Sequence, residues 1–210
     1  MTEAFFHDHT PDTAPPSSRR AMEGTAAKFG YLPSAVARLA ESPETLEAFL
    51  RISSTFELTT LDKLARETVV LTVATRNGCE LCVAMHTGVL TAVGADPEVV
   101  GALRDQAPLP DPRLEAVRRF TLHVLATAGA VEPDRMREFL GHGFTTRNAL
   151  EVVLGIGAYT LSTFANRLVD APVDEPMARF AWHPPTAADG SESGPAQASA
   201  QAPAAAPAPA

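Results

Sequence analysis

Cysteine is almost missing from this chain, with two residues in 210. That rules out the multi-disulfide framework of small secreted domains. Aromatic residues are also scarce, at 6% of the sequence, so aliphatic side chains must supply most of the core. No apolar run reaches the ~20 residues a membrane-spanning helix requires. The longest, 149–165, carries Glu151, two glycines, a serine and two threonines, and reads as a buried helix. Lysine and arginine are scattered singly through a chain of formal charge -8, leaving no cationic stripe for a run of phosphates. Nucleic-acid binding is excluded on that ground. The opening residues, Met1-Thr2-Glu3-Ala4-Phe5-Phe6, lack the positive region and apolar stretch of a secretory signal, so a cytoplasmic location is expected.

What is present suits one domain. At 45% hydrophobic content, 210 residues can bury a sizeable core. Pro, Ser and Thr dominate 10–18, and from about Pro184 the chain passes into Ala/Pro repetition, so a flexible arm over 1–18 and a disordered tail over 184–210 flank a domain at 19–183. Helix-start signals punctuate that domain: Ser42-Pro43, Thr59-Thr60, Asp111-Pro112, Glu132-Pro133 and Thr145-Thr146. With no competing strand pattern, the spacing predicts an all-α bundle with helices near 19–29, 34–41, 43–56, 60–75, 79–93, 96–105, 112–128, 133–142 and 145–169.

The two cysteines fall three apart, and a histidine follows four residues later: Cys79-Glu80-Leu81-Cys82-Val83-Ala84-Met85-His86. If Arg76-Asn77-Gly78 forms a turn and a helix begins near Cys79, these three residues share one inward face with Val83 and Leu90. On the preceding helix, Glu67 lies on the apolar stripe of Leu64, Val70, Leu71 and Ala74, apart from Asp62, Thr72 and Arg76. It stands ten residues before Asn77 and His86 nine after, so an antiparallel pair brings them level. A thiol attacks as thiolate, and its ordinary pKa of ~8.5 leaves little ionised near neutrality. The helix terminus favours negative charge at Cys79, His86 can hold a proton, and Glu67, raised by burial, can collect one.

The stretch Arg66-Glu67-Thr68-Val69-Val70-Leu71 through Asn77-Gly78-Cys79 to His86-Thr87 resembles the signature of the alkylhydroperoxidase D-like branch of the carboxymuconolactone decarboxylase family: Glu, eleven residues, Cys-x-x-Cys, three residues, His. Weaker similarity extends to Phe29-Gly30-Tyr31-Leu32-Pro33 upstream and to Thr163-Phe164-Ala165-Asn166-Arg167-Leu168 downstream. The resemblance implies an all-helical fold, trimers or hexamers, and reduction of hydrogen peroxide or organic hydroperoxides with no bound organic cofactor. It also implies that Cys82 attacks the peroxide, Cys79 resolves the sulfenic acid, Glu67 and His86 move the proton, and an external dithiol, thioredoxin-like or lipoyl, restores the pair. Helix-terminus electrostatics alone favours Cys79 as the attacking thiolate, whereas the nearness of His86 favours Cys82, the assignment adopted here. Leu81 stands where many relatives carry an aromatic residue or histidine.

Other readings compete. The thiols can be two buried small side chains, or join His86 and Glu67 as zinc ligands, although three ligands on one helix is unusual for zinc. A non-enzymatic redox sensor or disulfide carrier uses the same pair, while the decarboxylase branch does not rely on a Cys-x-x-Cys pair. His123 reads as a half-exposed structural residue, His142 and His183 carry no role, and Asn166 either reaches the pocket or caps a carbonyl.

Overall fold

The computed structural model describes residues 5–185. Among them are nine α-helices and no strand: α1 (Arg19–Phe29), α2 (Ser34–Leu39), α3 (Pro43–Glu57), α4 (Lys63–Arg76), α5 (Glu80–Ala92), α6 (Pro97–Arg104), α7 (Pro112–Ala126), α8 (Pro133–Gly141) and α9 (Thr146–Leu168). Most termini fall within two residues of the sequence expectation because local caps fix them. Ser42, Asp62, Asp96, Asp111 and Thr145 each accept a backbone N–H of the following turn through the side chain. The fourth helix departs most from its expected start at Thr60. Asp62 caps it instead, while the Thr60 hydroxyl is drawn away to the Glu151 carboxylate of α9.

The centre of the molecule is α4, packed against α5, α7 and α9. The sequence reading set Thr72 apart from the apolar stripe of this helix, and Thr68, Thr72 and Thr75 are buried along with Val69, Val70 and Leu71. Each threonine hydroxyl donates to the carbonyl four residues back, Leu64, Thr68 and Leu71 respectively. A β-branched polar residue thereby presents its methyl group to the core with no unpaired donor. The turn after α4 needs φ of 65° at Gly78, a conformation costly for a residue with a Cβ, and it returns the chain antiparallel as α5.

A second, smaller cluster joins the N-terminal segment to α2, α3 and the end of α9 through Ala14, Met22, Val36, Leu39, Leu46 and Val169. The segment expected as a flexible arm takes part in it. Ala14 is buried, the Ser18 hydroxyl donates to the Ala40 carbonyl at 2.7 Å, and His9 meets Glu41 at 2.7 Å. Pattern reading missed this because a Pro/Ser-rich stretch has no periodicity with which to announce docking. After α9, a 3-10 turn at Glu175–Phe180, also absent from the sequence reading, lies across α5. Arg104 holds the carbonyls of Phe180 and Ala181, and Trp182 donates to the Arg104 carbonyl. The expected tail lies outside the described residues from 186 onward. No helix among the described residues is long and apolar enough to cross a membrane.

The crossing of α9 over α3 and α4 depends on Gly155. A Cβ there would stand 2.6 Å from the Phe56 ring and 3.0 Å from Val69. Gly155→Ala is expected to destabilise the fold by about 1–3 kcal/mol through overpacking, read as a lowered urea midpoint, despite the better helix propensity of alanine.

Candidate active site

Glu67 is 1% exposed, in the middle of the central helix. Its Oε2 lies 2.7 Å from His86 Nδ1 on α5, and its Oε1 lies 3.1 Å from Lys63 Nζ one turn back on α4. Burial is the largest influence on this carboxyl and pushes its pKa up. The His86 ring and the Lys63 ammonium together outweigh it, so the net direction is down from the ordinary 4.5. This corrects the sequence expectation of a raised Glu67: the site holds a carboxylate, and the carboxylate accepts from Nδ1–H of His86. The signal for Lys63 was present in the sequence, because i and i+4 share a helix face. The neighbouring Arg66 turns away, to Glu57 and the Leu61 carbonyl.

Cys79 and Cys82 are paired as a disulfide with Cα atoms 5.3 Å apart. Cys79 is the N-cap of α5 and not its first helical residue, and its sulfur accepts the backbone N–H of Cys82 at 3.4 Å. Cys82 lies within the first turn, where its sulfur accepts Asn166 Nδ2 of α9 at 3.3 Å. Asn166 therefore reaches the thiol site. Its amide also meets the Ser162 hydroxyl at 3.4 Å, while its Oδ1 is buried with no partner.

A cavity of about 220 Å³ opens beside these groups. Cys82, His86 and Asn166 line it together with Leu46, Phe49, Met85 and Tyr159, so its wall is largely apolar. Tyr159 packs edge-on against the His86 ring at 5.1 Å and was not singled out from the sequence. Burial, offset in part by Ser53 and reinforced by the Glu67 charge, pushes its phenol up to about 12. The structure thus brings all four expected site residues to one place and adds Lys63, Tyr159 and Asn166. His123 stands apart on α7 with its Nε2 buried and unpartnered, and His183 pairs with Glu80 at 3.1 Å. Among the described residues, no group of three or more His, Cys, Asp or Glu side chains is disposed to hold a metal ion.

The model of the carboxymuconolactone decarboxylase family matches residues 43–122, the segment that carries Glu67, Cys79, Cys82 and His86. That segment is similar to the family, and the match spans less than half of the chain. The fold of the chain is similar to an alkylhydroperoxidase D core, a peroxidase-related protein from Ralstonia eutropha JMP134, with a TM-score of 0.72 at 22% identity over 82% of this chain and 93% of that one. A peroxidase-related protein from Silicibacter sp. TM1040 follows, with a TM-score of 0.69 at 21% identity over 84% of this chain and 95% of that one. The debrominase Bmp8 in complex with 2,3,4-tribromopyrrole shares the fold at 12% identity, with a TM-score of 0.68 over 85% of this chain and 96% of that one. No curated protein sequence matches the chain.

A depressed carboxyl adds stability above its ordinary value of 4.5 and loses it as pH falls through the lower folded value. The urea midpoint of the wild type is therefore expected to drop on the acid side of 4.5. Glu67→Gln flattens that drop, and Lys63→Met moves it to higher pH, because the ammonium helps hold the carboxyl down.

Proposed function

We propose that the protein is a thiol-dependent peroxidase that reduces hydrogen peroxide or organic hydroperoxides through the Cys79/Cys82 dithiol–disulfide cycle, with electrons from an external dithiol of thioredoxin-like or lipoyl type. One observation carries the reading: His86, held by the buried Glu67 at 2.7 Å, lines the same cavity as Cys82. The peroxidase-related names of two structural neighbours support it at the level of the family.

In the reduced enzyme, Cys82 gives its proton to the relay and attacks the peroxide oxygen as thiolate. The O–O bond breaks, Cys82 becomes a sulfenic acid, and the departing alkoxide takes a proton to leave as alcohol, or as water when the substrate is hydrogen peroxide. The Cys79 thiol then attacks the sulfenic sulfur, water departs, and the disulfide forms. Glu67 stays ionised throughout. With Nδ1 committed to that carboxylate, His86 has its other nitrogen left to exchange protons at the reacting centre. Asn166 Nδ2 supplies a hydrogen bond to the Cys82 sulfur that steadies the thiolate.

The assembly expected of this family, a trimer or hexamer, finds support in a stripe on the outer side of α9. Leu150, Val153, Phe164 and Leu168 are 73%, 47%, 59% and 72% exposed and recur at helical spacing. A second copy that covers this stripe removes it from water. Light scattering is expected to give a multiple of the 22.2 kDa chain mass, and a clean monomer at micromolar concentration counts against it.

The function is tested by peroxide consumption with a dithiol donor. Cys82→Ser is expected to abolish turnover, and Glu67→Gln to lower it about a hundredfold or more. After one equivalent of peroxide, the reduced wild type should lose two hydrogens by mass spectrometry. Turnover of Cys82→Ser at the wild-type rate sinks the mechanism.

A further inference from the structure

The disulfide lies between two openings of opposite character. On one side, Cys82 faces the cavity walled by Leu46, Phe49, Met85 and Tyr159. On the other, Cys79 lines a separate, open groove of about 370 Å³ with Gly78, Glu80, Arg167, Asp170 and Pro184. Asn166 borders both and forms the partition between them. Each sulfur thus has its own approach.

We propose that the two half-reactions use different doors: the hydroperoxide reaches Cys82 through the apolar cavity, and the reducing dithiol reaches Cys79 through the polar groove. The inference rests on the peroxidase reading for its first half only. Desolvation decides the sorting. A hydroperoxide is neutral and loses little on entering an apolar cavity, whereas a dithiol reacts as thiolate, and an anion leaving water for that wall is strongly disfavoured without a partner. The groove keeps an attacking thiolate in water, and its rim carries the Arg167 guanidinium together with the Glu80 and Asp170 carboxylates.

The chemistry fits the same direction. A thiolate attacks one sulfur of a disulfide along the extension of the S–S bond, and the other sulfur leaves with the electron pair. Attack from the groove on Cys79 forms a bond between the reductant sulfur and Cys79, breaks the Cys79–Cys82 bond, and delivers the pair to Cys82. That leaving sulfur already accepts Asn166 Nδ2 and shares its cavity with His86, which returns its proton. The second thiol of the reductant then attacks its own sulfur in the mixed disulfide. Cys79 is released and takes a proton as thiol, and the reductant departs as a disulfide. Two electrons and two protons pass from dithiol to enzyme.

The test begins with wild-type protein oxidised to the disulfide by diamide, so that it does not depend on peroxidase activity. Treatment with the monothiol 2-mercaptoethanol, which cannot complete the second step intramolecularly, is quenched with acid and the adduct located by peptide mass spectrometry. The mixed disulfide is expected on Cys79 over Cys82 by about ten to one. An adduct mainly on Cys82, or spread evenly, overturns the proposal. In parallel, Glu80→Trp fills the groove from the half-buried first position of α5. It is expected to slow reduction by dithiothreitol about tenfold while leaving single-turnover oxidation by cumene hydroperoxide unchanged. Equal slowing of both steps, or of neither, also overturns it. If cumene hydroperoxide fails to form the disulfide at all while the adduct still maps to Cys79, the peroxidase reading falls and the groove assignment stands.

Discussion

The fold is organised around a buried carboxylate. Removing an ion of the size of the Glu67 carboxylate from water costs several kcal/mol unless it is paired in good geometry. This one, 1% exposed, meets an ammonium on its own helix and an imidazole on the next. That requirement fixes the register of α4 against α5, because one residue of slip in either helix swings its group about 100° away. It also explains the turn between them. Only a tight reversal at Asn77-Gly78, with the positive φ a glycine takes readily, returns the chain in time to set His86 level with Glu67. Cys79 and Cys82, which follow immediately, are then carried into the core as a by-product of satisfying a charge.

The longest helix completes what the pair of shorter ones begins. Gly155, Tyr159, Ser162 and Asn166 recur at four, three and four residues and form one inward stripe of α9. The glycine admits the Phe56 ring, the tyrosine packs on His86, and the asparagine meets the Cys82 sulfur. The opposite side of the same helix carries the exposed apolar stripe. A helix apolar on both sides has two surfaces to cover, and the described residues supply a cover for one.

Physical reasons separate what the sequence makes legible from what it does not. The contact of Glu67 with His86 was legible because both lie within one helix-turn-helix, where counting from the turn gives the register. Helix boundaries were legible wherever a capping side chain stands next to a proline or an apolar repeat. The direction of the Glu67 pKa was not, since it turns on whether burial or pairing wins, and Lys63 tips the balance from a position that looks like an ordinary solvated lysine. Tyr159 and Asn166 reach the site from about eighty residues away in the chain, and no local spacing encodes that distance. The docking of residues 8–18 and of the turn at Glu175–Phe180 rests on single anchors such as Ser18, Arg104 and Trp182, which leave no periodic trace.

The ionisation states around the imidazole narrow the route a proton can take. Glu67, held below the ordinary carboxyl range, keeps its charge near neutrality, while Tyr159, pushed up to about 12, keeps its proton. The His86 ring therefore lies between two groups held in opposite states. Its Nδ1 is committed to Glu67 at 2.7 Å, so any proton that passes between the sulfur and the ring must use the other nitrogen. The carboxylate orients the ring and fixes its tautomer, and under the proposed chemistry that leaves proton exchange with the sulfur to one atom on one side chain.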